Sequence, residues 1–305
     1  MTHYILRRLL HTVLVALAAL LVIFVLVRLS GDPAQLMAGI DASPQDVAEL
    51  RHRMGLDRPI YVQLSTFVWG ALQGDLGDSL RYRGPALTIV LERLPATLEL
   101  TAAAMILTIA LAIPAGLIAA TYRNKFVDQA VMVLALLGQT IPVFWLGIIL
   151  ILLFSVRIQW FPTGGRGGLE HLVLPAITLA AFNTARVARL VRSEMLEIMS
   201  EDFIRVARSK GLMERAVVLR HALKNAAIPV VTIIGLQVGY LLGGAVITET
   251  VFAWPGVGRL LVQSIQFRDF PVIQVAVLLL ALTVAVINLL VDLSYAWLDP
   301  RIRYR

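Results

Sequence analysis

The segment MTHYILRRLLHTVLVALAALLVIFVLVRLSGDP, Met1 to Pro33, decides what kind of fold this chain adopts. Arg7 and Arg8 lead into an apolar run from Val13 to Val27, the order found in a secretory signal peptide. No small-x-small cleavage site follows, however, and the apolar helix can extend from Leu9 to Leu29. A bilayer core of ~30 Å takes ~20 helical residues, against roughly 7–15 for a signal sequence. The segment therefore reads as an uncleaved first membrane helix.

The rest of the chain agrees. Of its 305 residues 58% are hydrophobic and 15% charged, with a mean hydropathy of +0.80. Soluble domains carry about 45–50% apolar and about 25% charged residues, so the class is an all-α integral membrane protein. The net charge of +7 could serve nucleic acid. In a membrane chain it belongs instead to basic cytoplasmic loops beside anionic lipid, so membrane lipid is an expected partner and nucleic acid is not. Absence of cysteine excludes disulfides, thiolate metal sites and cysteine nucleophiles, and leaves the redox compartment open.

Six spans are expected at about 9–29, 98–121, 130–156, 172–190, 226–247 and 272–295. Asn183, Arg186 and Arg189 lie on the later turns of the fourth, whose far end is expected to leave the membrane while still helical. Arg7 and Arg8, then Arg123 and Lys125, then nine Lys and Arg between Arg186 and Lys224, then Arg301, Arg303 and Arg305 all fall on one side. By the positive-inside rule that side, with both termini, is cytoplasmic. The expected organisation is a tail and first helix (1–29), an external segment (30–95) and a five-helix core (96–305) with a cytoplasmic loop at about 195–228. In the external segment Pro44–Met54 reads as a short polar helix capped by Ser43, and Tyr61–Leu72 as a more apolar one.

Ionisable residues inside spans are functional candidates by default, and here they are Glu99, Glu249 and Asp292. All three sit near helix ends, where interfacial caps or ion pairs are the simpler role. No carboxylates or histidines stack through the membrane centre, which argues against an ion-coupled secondary transporter. Gln139, Asn183, Gln237 and Asn288 lie deeper; each could bond two helices together, and as a set they could line a solute path. Gly235, Gly239 and Gly243, at four-residue intervals, favour close packing against another helix. The chain has no P-loop, HExxH or GxSxG motif and no histidine cluster. No enzyme activity, resident metal or cofactor is expected, and energy for uphill transport must come from a partner.

One basic stretch stands out, EDFIRVARSKGLMERAVVLRHALKNAAIPVV from Glu201 to Val231. Ser200 can cap a helix over Asp202–Lys210, Glu201 and Asp202 suit its positive N-terminal dipole, and Gly211 can stop it. A second helix from about Glu214 would complete a rigid knob. An ordinary basic loop would look similar in charge alone; the helix–glycine–helix pattern and the missing energy source favour a docking role.

Motifs along nearly the whole chain carry a resemblance. They are GDPAQ (31–35), GLDRPIYVQ (55–63), GDLGDSL (74–80), LPATLEL (94–100), LPAITLA (174–180), the basic stretch itself, FAWPGVGR (252–259), RDFPVIQ (268–274) and LDPRIRY (298–304). With these nine in order, the chain resembles the permease subunits of bacterial ABC importers of the dipeptide, oligopeptide and nickel group. The resemblance implies an EAA-type coupling loop that docks on an ATPase subunit, with Gly211, Ala207 and Leu223 at pattern positions. Arg205, Val206, His221 and Lys224 depart from the general pattern. Glu201, Asp202, Arg205, Ala207, Arg208, Lys210, Gly211 and Leu212 are then the expected contact set. Also implied are a second homologous permease, two ATP-binding subunits holding ATP and Mg, and an extracytoplasmic solute-binding protein. The site would be the cytoplasmic (inner) membrane, the mechanism alternating access. The implied cargo is a di- or oligopeptide or a glutathione-like peptide, with nickel as the alternative.

Overall fold

The computed structural model describes residues 2–29, 32–38, 43–53, 55–79 and 81–298. The C-terminal tail with Arg301, Arg303 and Arg305, the side chains of Arg7, Arg8 and Asp292, and part of the GDPAQ motif lie outside the described residues. The chain divides into two compact units, one of residues 98–254 and 287–305, the other of 2–97 and 255–286.

The second of these units contains α1 (Thr2–Leu29), α2 (Pro33–Ala38), α3 (Pro44–Arg53) and α4 (Ile60–Gln73). A two-residue hairpin follows, β1 (Asp78–Ser79) paired antiparallel with β2 (Gly84–Pro85). Next come the first turns of α5 (Ala86–Thr121) and, later in the chain, α12 (Val257–Gln266) and most of α13 (Phe270–Leu298). Its core joins Leu20 and Ile23 of α1 to Val90 of α5, Leu260 of α12 and Val275 of α13.

The expected cap at Ser43 is present. Its hydroxyl accepts the Asp46 N–H at 3.2 Å while its own N–H donates to the Asp46 carboxylate at 3.1 Å, a reciprocal box that satisfies two helix-end donors. Less legible is the tie at the end of α1. Arg28 donates through Nε and Nη2 to Gln63 Oε1 (3.1 and 2.6 Å), and the Gln63 amide donates to the carbonyls of Leu56 and Arg58. A glutamine of the GLDRPIYVQ motif thus fixes the end of the first span to the segment that follows it.

Other motifs turn out to be halves of contacts. Ser79 of GDLGDSL donates to the buried carboxylate of Asp269, from RDFPVIQ, 190 residues away. Thr97 Oγ1 of LPATLEL accepts the Val257 N–H of FAWPGVGR at 2.8 Å. That N–H opens α12 and has no partner within its own helix, so a threonine from another helix caps it. Replacing Thr97 with valine keeps the shape and leaves a buried donor unpaired. We expect Thr97→Val to cost about 1–3 kcal/mol in thermal unfolding of the detergent-solubilised chain.

In the other unit α8 (Leu169–Met199) is the central helix, packed by α6 (Phe126–Thr140), α7 (Val143–Leu150) and α11 (Leu223–Val251). Five helices are long and apolar enough to cross a membrane among the described residues; a sixth span requires α6 and α7 together. Here the structure differs from the expected continuous third span, because the pair is bent by 101°. The cause is Pro142: it lacks an N–H and forces Ile141 out of the helical region, to φ −72° and ψ 124°. Wide π-type turns continue α7 over Ile151–Arg157 and precede α11 over Val217–Ala222. The fourth span also runs further than its apolar stretch, to Met199, since its later turns bury Val187, Ala188, Val191 and Met195 within the unit.

The ionisable span residues split. Glu99 pairs with Arg166 at 2.6 Å, the interfacial ion pair expected of it. Glu249, expected near a helix end as an interfacial cap or ion pair, is fully buried, and its carbonyl accepts the Trp254 N–H at 2.8 Å where the chain turns after α11.

Within this chain the three glycines on α11 are not approached alike. A methyl group on Gly235 would stand 2.2 Å from Val291, so α13 passes close there, whereas Gly243 is exposed and faces open space. Gly239 is half-buried. Close approaches also occur at glycines the pattern did not single out. A methyl on Gly116 would meet Val191 at 2.6 Å, drawing α5 onto α8.

Candidate coupling helix and polar cleft

The basic stretch begins with α9 (Asp202–Ser209). Ser200 does not cap it: its hydroxyl donates back to the Glu197 carbonyl at 2.6 Å, and Glu201 occupies the cap position in extended conformation without a side-chain bond. Asp202 nevertheless faces the positive helix end and pairs with exposed Arg205 at 2.6 Å. The helix stops where the spacing predicts, with Lys210 as its C-cap and Gly211 at φ +74°, a left-handed conformation that costs an L-residue roughly 1–2 kcal/mol.

Beyond the glycine lies not a second short helix but the root of a membrane helix. The turn Glu214–Ala216 (α10) runs through the π segment straight into α11. Both flanks of α9 are therefore extensions of spans, α8 before it and α11 after it. Ile204 and Ala207, three residues apart, are buried in one apolar cluster with Val191 and Met195 of α8, Val217, Val218 and Ala222 of the π segment, and Ala112 and Ala120 of α5. Burial of one isoleucine is worth about 1.5–3 kcal/mol. Ala207, expected at the partner surface, thus packs inside the chain, since the apolar side of α9 is needed to hold it there.

The opposite side is bare. Glu201, Asp202, Arg205, Lys210, Gly211 and Leu212 are exposed, and so are the apolar Phe203, Val206 and Met213. Arg208 is turned inward to the loop itself: it donates to both Glu214 oxygens, at 3.1 and 2.6 Å, bridging Gly211. The guanidinium holds the Glu214 carboxyl below its usual range and the carboxylate raises the pKa of Arg208. Because the folded-state pKa of Glu214 is depressed, this pair contributes stability above the ordinary glutamate pKa and loses it as pH falls through the lower folded value. Both side chains are partly exposed, so Glu214→Gln is expected to cost only about 0.2–1 kcal/mol at neutral pH. The difference from the unsubstituted chain should vanish in acid unfolding experiments.

The four deep polar residues go to different places. Gln139 on α6 accepts a hydrogen bond from Arg189 Nη2 of α8. Gln237 on α11 is 1% exposed, its Oε1 has no partner, and it lines a cleft of about 670 Å³ with Arg186, Arg189 and Tyr240. Arg186 stands over the Tyr240 ring at 5.0 Å. Asn183 is buried on α8, donates to the Leu179 carbonyl at 3.4 Å and has an unpartnered Oδ1, but does not line that cleft. Asn288 is half-buried on α13 and apart from it. The arginines and Tyr240 were missed as lining residues. Their signal was a shared face: 186, 189 and 190 on one helix, 233, 236, 237 and 240 on the next.

The family model of the binding-protein-dependent transport system inner membrane component matches residues 112–304, and that family's N-terminal model matches residues 1–101. The chain belongs to this family. The glutathione transport system permease protein GsiC of Escherichia coli is 44% identical over 306 residues, covering 100% of both chains. GsiC of Salmonella typhimurium is 44% identical with the same coverage. Among solved structures, the MetNI methionine ABC transporter in inward-facing conformations aligns with a TM-score of 0.57 at 18% identity, covering 69% of this chain and 96% of that one. An amino acid ABC transporter follows with a TM-score of 0.51 at 18% identity, covering 68% and 92%. At that identity the likeness is one of fold. The chain is an ABC importer permease of the binding-protein-dependent family, a multi-pass inner-membrane protein that works with ATPase and substrate-binding partners; its family is not one of enzymes.

Proposed function

We propose that this chain is one of two membrane halves of an ATP-driven importer of di- or oligopeptides or glutathione-like peptides. It pairs with a second, homologous permease and sits above two ATPase subunits that bind ATP and Mg; an external binding protein delivers the cargo. Both termini and α9 face the cytoplasm, and the segment 30–95 faces outward. The observation that carries this reading is α9. Its Ile204 and Ala207 are buried in the apolar cluster that also holds residues of α5, α8 and α11, while it shows Arg205, Val206, Lys210 and Leu212 to whatever lies beneath. A force on its outer face therefore passes into an apolar cluster that three membrane helices share. ATP-driven closure of the partners would thus move α9 and rock the spans between outward and inward access. The GsiC relatives, 44% identical from end to end, support the peptide class.

The test is uptake by the assembled transporter in proteoliposomes, with labelled glutathione, a dipeptide, a longer peptide and nickel as cargoes. Arg205→Glu combined with Lys210→Glu alters exposed side chains and breaks only the exposed Asp202 pair, so thermal unfolding of the chain should shift by no more than about 1 kcal/mol. ATP-dependent peptide uptake should fall at least about tenfold, the loss of one or two charge-assisted contacts. Uptake that survives the substitutions, or that proceeds without ATP, overturns the reading. Uptake of nickel in place of peptide would correct the cargo alone.

A further inference from the structure

The cleft between α8 and α11 asks for a ligand of particular chemistry. Its size, about 670 Å³, lies within the range of small-molecule sites. Two arginines line it and no carboxylate does. Both stand on the later turns of α8, where the span is expected to leave the membrane, and both face the cleft. Here the visible partners are neutral: Gln139 for Arg189 and the face of Tyr240 for Arg186. Each guanidinium carries five N–H donors, so these contacts leave donors for an anion. Deeper in the wall the Gln237 Oε1, buried and unpartnered, needs the opposite, an N–H donor. An anion alone would leave Gln237 unsatisfied, and a cation would be repelled by the arginines. A group carrying an ionised carboxylate next to an amide N–H meets both demands, and that is the C-terminal end of a peptide.

We propose that this cleft is a carboxylate-binding station on the translocation path, with Arg186 and Arg189 receiving the peptide's ionised carboxylate and Gln237 accepting its amide N–H. The proposal rests on the peptide-importer reading above and adds a selectivity held by the permease itself. The cleft excludes free divalent cations for the same reason that it attracts carboxylates.

The experiment uses the assembled transporter in proteoliposomes and one peptide in two forms, free acid and C-terminal amide. A charge-assisted bond is worth about 1.5–3 kcal/mol, which is about a 10- to 100-fold change. Arg189→Gln should therefore lower uptake of the free acid at least about tenfold, and of the amide by less than about twofold. Arg189→Lys, which keeps the charge, should recover most of the loss. Gln237→Leu should lower uptake of both forms alike, since both carry the N–H. Equilibrium binding of each radiolabelled form to the complex without binding protein gives a second readout, in which the free acid should saturate the wild type at lower concentration and lose this advantage in Arg189→Gln. Equal effects of Arg189→Gln on acid and amide, with equal binding of the two, overturn the station and leave the importer standing. Absence of ATP-dependent uptake of any peptide by the wild type overturns the importer reading instead.

Discussion

Replacing Asp128 with alanine is expected to destabilise the chain by about 3–5 kcal/mol. Asp128 sits in the first turn of α6, 3% exposed, where its charge also suits the helix dipole. Arg192 of α8 grips it with two bonds, Nε to Oδ1 at 2.6 Å and Nη2 to Oδ2 at 2.7 Å. The Asn124 N–H adds a third at 2.9 Å, from a residue held at φ +62°. Alanine would strand a partly buried guanidinium and a backbone donor together, and release the loop between α5 and α6 from α8. Thermal unfolding in detergent measures the loss. A double substitution, Asp128→Leu with Arg192→Met, should recover much of it, because an apolar pair of similar volume pays no desolvation penalty. A loss below about 1 kcal/mol for Asp128→Ala would show that the pair is not the clamp its geometry implies.

Phe252→Ala is the second, with an expected cost of about 3–5 kcal/mol. Phe252 is 1% exposed, and a methyl on Gly147 of α7 would stand 3.1 Å from its ring edge. Val251 and Thr178 close the same spot at 3.1 and 3.4 Å, so α7, α8 and the end of α11 meet at Gly147, beside that ring. The Phe252 carbonyl also receives the Gly165 N–H at 2.9 Å, at a place where a methyl on Gly164 would come within 2.4 Å of that oxygen. Lipid cannot fill a void enclosed by three helices, and helix association in a membrane depends on just such contacts. Unfolding should therefore shift for Phe252→Ala and much less for Phe252→Leu, which fills most of the volume. Equal shifts for the two would mean that the aromatic ring, not its bulk, is what the site requires.

The substitutions also show where sequence and structure part company. The Ser43 cap, the stop of α9 at Gly211 and the apolar spans are local facts: each depends on residues within a few positions, through backbone geometry or hydropathy along one helix. They were legible. Ser200 looked equally able to cap, yet its hydroxyl satisfies a carbonyl one turn back, a choice that neighbouring sequence does not reveal. The glycine triplet on α11 had the spacing of a packing face, but only a neighbour can decide whether a glycine is approached. Val291 approaches Gly235; at Gly243 nothing in this chain comes near.

By itself, then, the sequence determined the membrane class, the spans other than the bent third and the presence of a glycine-terminated basic helix, because hydropathy and helix-end chemistry act at short range. Its motifs also determined the family, without saying why they are there. Tertiary structure decided that. Ser79 and Asp269, or Thr97 and Val257, are motif residues because they meet across 190 and 160 positions. It likewise turned Ala207 inward and drew Arg186, Arg189, Gln237 and Tyr240 into one cleft. Those outcomes depend on which helix faces which, and a linear pattern carries that only as a period along one helix, never as the identity of its neighbour.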